Sequence, residues 1–180
     1  RLGAVEAEVP LAELGGFAPV TVAGHGDTVR SIRCGDRRVL AFMGRTHLYE
    51  DHPARVVVHG VRTAVRAGCS VVVDALDNGS SRRVLSKACL EAGIPLVHGA
   101  IGGFYAQVGV SLGGPLGRFI AAMPDRGEEV CLGNPPFTPA LAAPLEVCEA
   151  VKLLTGVSEV LADQLLWADL KGHCFMRLNP

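Results

Sequence analysis

Apolar and polar positions along the chain follow two different periods. Val29-Arg30-Ser31-Ile32-Arg33 alternates with period two and predicts a strand. Gly35-Asp36 marks a tight turn, and Arg38-Val39-Leu40-Ala41-Phe42-Met43 predicts the more buried return strand of a hairpin. From residue 53 to 67 the period changes. Val57, Val58, Val61, Ala64 and Val65 recur at helical steps behind Pro53, with Arg55, Arg62 and Arg66 between them, and Gly68 stops the helix. The run Ser70-Val71-Val72-Val73-Asp74-Ala75 is apolar without alternation, which predicts a strand buried on both faces and therefore parallel.

Asn78 or Ser80 is placed to cap a helix running to Glu91, ended by Gly93. Residues 94–98 and 104–112 predict two further strands. Residues 113–137, rich in Gly and Pro, predict a loop. A helix follows over 138–154, with Pro144 kinking it or lying near its start, and residues 165–178 predict a closing hairpin. Residues 1–27 are dominated by turn formers. This order predicts a single α/β domain over 1–180, with a mixed, largely parallel sheet flanked by helices and a terminal β-hairpin.

Composition narrows the function classes. Lys and Arg total 17 and Asp and Glu 18, a formal charge of −1, which gives no electrostatic footprint for nucleic acid and no polybasic membrane patch. Hydrophobic residues reach 49% with only 5% aromatics, so the core is aliphatic and disorder is excluded. No apolar run approaches the roughly 18 residues of a membrane helix. Arg1, Glu6 and Glu8 at the start predict no signal peptide, and a first residue other than Met reads as a fragment. The six cysteines form no Cys-x-x-Cys pair, so no metal site is expected. Cys69, Cys89 and Cys148 read as small buried hydrophobes in a reducing, cytoplasmic compartment. Neither GxGxxG between strand and helix nor GxxxxGK[ST] occurs.

Two clusters carry candidate chemistry. In the first, Gly44-Arg45-Thr46-His47-Leu48-Tyr49-Glu50-Asp51-His52 follows directly on a buried strand, where α/β folds place ligands. Arg45 offers a planar fork for phosphate oxygens and His47 a second donor. Tyr49 can present a hydroxyl or a flat face to a sugar. The spacing alone fits a plain polar loop as well.

Together with Val22-Ala23-Gly24-His25-Gly26 and His59-Gly60-Val61-Arg62, this stretch resembles the trimeric purine nucleoside phosphorylase family over residues 1–73. The resemblance implies phosphate binding by Arg45, His47 and His25, ribose contact by Tyr49, and phosphate as co-substrate with a small nucleoside. That family's base-recognising Glu and Asn have no counterpart here.

The second cluster, Asp74-Ala75-Leu76-Asp77-Asn78, ends the buried strand. An Asp there can hold Mg²⁺, and Asp77-Asn78 can equally cap the next helix. With Cys89-Leu90-Glu91-Ala92-Gly93-Ile94-Pro95-Leu96-Val97-His98-Gly99-Ala100, Gly103-Phe104-Tyr105-Ala106-Gln107-Val108 and Gly133-Asn134-Pro135-Pro136-Phe137, it resembles the ThiF/HesA/MoeB adenylating-enzyme family over residues 71–180. The resemblance implies ATP and Mg²⁺ at Asp77, the catalytic candidate. It also implies that Asn78 braces the same turn and that residues 99–107 line the site receiving the tail of a ubiquitin-like or sulfur-carrier protein. The family's GxGxxG loop, arginines and lysine are not among these residues, nor are its Cys-x-x-Cys pairs.

Two α/β halves thus meet at a shared helix–strand unit, as in a chimera. The chain is expected to be an adenylyltransferase-like domain that is catalytically incomplete. The alternatives are a nucleoside phosphorylase and a non-catalytic scaffold. An uncovered sheet edge where missing elements once packed predicts a homo-oligomer.

Overall fold

The computed structural model describes residues 3–21, 26–43, 53, 56, 59–127 and 129–180. The chain forms two compact units, Arg1–Cys69 and Ser70–Pro180.

In the first unit, strands β1 (Ala4–Pro10), β2 (Thr28–Cys34) and β3 (Arg37–Phe42) form an antiparallel sheet in that order, followed by helix α1 (His59–Arg66). The expected β2–β3 hairpin is present, with Val29 opposite Phe42 and Cys34 opposite Arg37. Gly35 turns it at φ +60°, a conformation that side chains with a Cβ resist. Strand β1 lies within the segment read as turns. Its outer positions are charged, and cross-strand pairing holds it: Glu6 takes Arg33 and Arg38, and Glu8 takes Arg30. Among the described residues of this unit, Leu11 and Ile32 are the buried apolar ones. Phe17 stacks on Phe42 and meets the His59 ring edge-on.

The second unit is built on a five-stranded sheet in the order β4 (Val72–Asp74), β5 (Leu96–Gly102), β6 (Tyr105–Ser111), β7 (Leu165–Asp169) and β8 (Cys174–Leu178). The mixed α/β architecture and the terminal hairpin match the sequence pattern. Among these strands parallel pairing is confined to β4–β5, and the other three pairings are antiparallel. The cause is connection length. Only α2 (Gly79–Ala92) crosses between parallel strands, whereas β5 returns as β6 through the two residues Gly103-Phe104.

Two short helices, α3 (Pro115–Ala122) and α4 (Glu129–Leu132), occupy the segment expected to be loop. Pro115 opens α3, and Leu116 and Ile120, one turn apart, are fully buried, so packing overrides the Gly and Pro content. Helix α5 (Phe137–Thr155) runs through Pro144 as one element. It sets Ala142 against Ala106, Val108 and Ala168, with Leu141 and Leu145 packed around them. No described helix is long and apolar enough to cross a membrane.

Candidate functional site

Parallel pairing of β4 with β5 sets Asp74 beside His98. Both side chains are buried, at 1% and 0% exposure. A carboxylate removed from water needs donors, and Asp74 has three. Oδ1 accepts the Leu76 N–H at 2.9 Å, and Oδ2 accepts from His98 Nδ1 at 2.8 Å and Arg82 Nε at 3.2 Å. Arg82 also donates Nη2 to the carbonyls of Leu76 and Gly99. Arg82 is therefore a fixed, nearly buried cation. It stands in the first turns of α2, where its side chain reaches back over the end of β4.

From His98 the network continues to β6. Gln107 lies opposite Ala100, so His98 is its diagonal neighbour, and His98 Nε2 meets Gln107 Nε2 at 3.1 Å. Gln107 and Arg82 line a cleft of about 300 Å³ with Asn78, Ile101, Phe119 and Trp167. Tyr105 and Trp167 stack at 5.6 Å at one wall.

On the other face of β5, Glu146 of α5 presses its carboxylate onto Gly99. Burial, reinforced by the charge of Asp74 and opposed by that of Arg82, pushes its acid up to about 8. Its Oε1 is buried with no hydrogen-bond partner among the described residues. Glu149, one turn on, is instead satisfied by Lys152 and by the Leu161 N–H at 2.8 Å.

The N-terminus of α2 has protein partners. Asn78 Oδ1 accepts from the Ser81 N–H and the Ser80 hydroxyl, both at 2.8 Å. Asp125 takes the Ser80 N–H at 2.7 Å, and its backbone carbonyl takes that of Gly79 at 3.0 Å. These Ser80 donors hold the Asp125 carboxyl below the usual range.

Asp77 is exposed and accepts from Asn78 Nδ2 at 3.0 Å; Asn78 caps α2 and faces the cleft. His25, Arg45, His47 and Tyr49 lie outside the described residues. Arg82, His98 and Glu146 were not singled out as site residues from sequence; Asp74 entered as the first residue of the 74–78 cluster and Gln107 as the last of the 99–107 stretch. The place of the β5–β6 turn would have exposed the His98–Gln107 diagonal, but Gly103, at φ +56°, was not recognised as that turn.

For ATP and Mg²⁺ the fit is partial. Asp77 offers an exposed carboxylate suited to a divalent cation. Among the described residues the first turn of α2 does not supply a triphosphate cradle: the N–H groups of Gly79, Ser80 and Ser81 are already bonded, and Arg82 is held by Asp74 and two carbonyls.

Residues 50–180 match the model of the ThiF family. The SAMP-activating enzyme E1 of Haloferax volcanii is 36% identical over 139 residues, 71% of this chain and 50% of that protein. The sulfur carrier protein adenylyltransferase of Thermus thermophilus is 32% identical over 144 residues, 72% of this chain and 52% of that protein. Purine nucleoside phosphorylase of Mycobacterium tuberculosis is 47% identical over 72 residues, 40% of this chain and 27% of that protein. The chain therefore spans about half the length of the Haloferax and Thermus proteins and about a quarter of the phosphorylase.

Proposed function

The chain belongs to the ThiF family, and on that premise we propose that its second unit serves ATP-dependent adenylation of the carboxyl end of a ubiquitin-like or sulfur-carrier protein. The observation that carries this reading is the buried Asp74–Arg82–His98–Gln107 network beside the cleft at the end of β4. Ligand crevices of α/β sheets lie at carboxyl ends of strands. In this reading Asp77 holds Mg²⁺ at the mouth of the site, and Asn78 keeps its turn rigid by capping α2. Arg82 places a fixed positive charge beside the cleft without reorganisation. Tyr105 and Trp167 give it an apolar wall that excludes water.

The 180 residues carry one side of such a site. With no backbone cradle for the phosphates among the described residues, this reading has the chain by itself not activating an acyl group. The test is exchange of pyrophosphate into ATP with a carrier peptide ending in Gly-Gly, run beside Asp77→Ala. No exchange is expected from the chain alone. Exchange that disappears in the variant would overturn incompleteness and leave the adenylating enzyme standing.

A second reading rests on the phosphorylase match. Arg45, His47 and His25 bind phosphate weakly, with Tyr49 at a ribose position, and inosine is not cleaved because the base-recognising groups are missing. Release of hypoxanthine by the purified chain would refute that reading. We further propose a cytoplasmic setting, a joining of the two family-like halves (1–73 and 71–180) as in a chimera, and self-association through uncovered strands. Sedimentation tests the last of these.

A further inference from the structure

We propose that Glu146 is a positioning residue for Arg82: while its carboxyl keeps a proton the guanidinium stays on Asp74, and once the carboxyl ionises the guanidinium turns to it beside Gly99. The two side chains meet at that one residue. Strand β4 ends at Asp74, opposite His98, so Gly99 is the first residue of β5 beyond that pairing. Its carbonyl accepts Arg82 Nη2 at 3.1 Å, and the place of its missing side chain is filled by the Glu146 carboxyl. The guanidinium therefore sits at the edge of β5 left by the end of β4, between the face that carries His98 and the face that carries Glu146.

Glu146 Oε1 is buried and receives no donor among the described residues. A neutral carboxyl bears this at modest cost, but a carboxylate becomes an unpaired buried charge, which is far more expensive. The groups around it leave one source of relief. Helix α5 packs on β4, β5 and β6. Strand β4 brings Asp74, another carboxylate. Strand β5 brings His98, which is bonded to Asp74 through Nδ1. Strand β6 carries no charged residue. On α5 itself, Glu149 and Lys152 are bonded to each other. Arg82 of α2, a permanent cation, is the positive charge that acts on Glu146, against the effects of burial and of Asp74.

When the proton leaves to solvent, turning Arg82 toward Oε1 pairs the new charge. Asp74 still keeps the Leu76 N–H and His98. The carboxyl holds its proton up to about 8, so the exchange belongs to mildly alkaline solution. Arg82 lines the cleft, and the place of its charge there becomes a function of pH whatever ligand the cleft takes.

The test uses the full chain, labelled with ¹³C and ¹⁵N and free of ligand, followed by NMR from weakly acidic to alkaline pH. The Glu146 carboxyl carbon should titrate near 8, and the Arg82 Cζ and Nε resonances should move with the same midpoint. Above it, cross-relaxation between Arg82 Hδ and Glu146 Hγ protons should appear. In Glu146→Gln, which has nearly the same shape and no charge at any pH, the Arg82 signals should keep their acid positions throughout. A Glu146 midpoint near 4.5, Arg82 signals that stand still, or signals that move equally in the variant each overturn the proposal. A shift at Arg82 without new cross-relaxation overturns it too, because the charge has then appeared and the guanidinium has not moved. Unfolding of the native chain in this window, with the variant still folded, would show that loss of α5 packing relieves the carboxylate in place of Arg82, and refutes it as well.

Discussion

Glu146 rests its carboxylate on Gly99, so close that a Cβ at Gly99 would collide with Oε1 and the carboxyl carbon. Both residues are buried, and α5 is held against β5 by the apolar residues around them. Gly99→Ala is expected to destabilise the second unit by about 1–3 kcal/mol through overpacking. Urea denaturation measures this. The same substitution in a Glu146→Ala background should cost clearly less, since two residues in contact do not add. Equal costs in both backgrounds would show that the collision is relieved some other way.

Ionisation of Glu146 links stability to pH. The unfolded carboxyl loses its proton near 4.5, whereas the folded one keeps it to about 8. Between these values the folded state binds more protons, so stability falls as pH rises through the window and levels off above it. Glu146→Gln removes this contribution. The variant should match the native chain near pH 4 and exceed it by on the order of 4 kcal/mol at pH 8. Thermal melts of the two proteins across pH 4–9 measure the difference; parallel curves would mean that Glu146 is not titrating there.

Capping and chemistry separate at Asn78. Its Oδ1 closes the first turn of α2 through the Ser81 N–H. Asn78→Ala should cost about 1 kcal/mol, and Asn78→Asp, which keeps the accepting oxygen, much less. Chemical denaturation ranks the three proteins. Equal losses for Ala and Asp would assign the residue a role other than the cap.

The proposed binding of phosphate by Arg45 is tested by thermal shift. Inorganic phosphate should stabilise the chain slightly, Arg45→Ala should abolish the effect, and Arg66→Ala should leave it intact. Arg66 ends α1 and is exposed. An unchanged phosphate effect in Arg45→Ala would remove the assignment.

Local pattern alone determined a good part of this protein. Apolar alternation marked the β2–β3 hairpin. Asn78 or Ser80 as cap and Gly93 as stop delimited α2, and the motifs around Asp77 and Gly133 pointed to the ThiF family. These signals are carried by residues near one another in the chain, where capping, turns and period act.

Tertiary structure decided what depends on distant residues. Strand β1 forms because Glu6 and Glu8 find arginines on β2 and β3. Helix α3 forms because Leu116 and Ile120 have a core to enter, despite local Gly and Pro content that argues for loop. The buried network joins Asp74, Arg82, His98 and Gln107 from β4, α2, β5 and β6. No periodicity announces it, because a polar residue is driven inward only when the fold brings its partner within hydrogen-bonding distance.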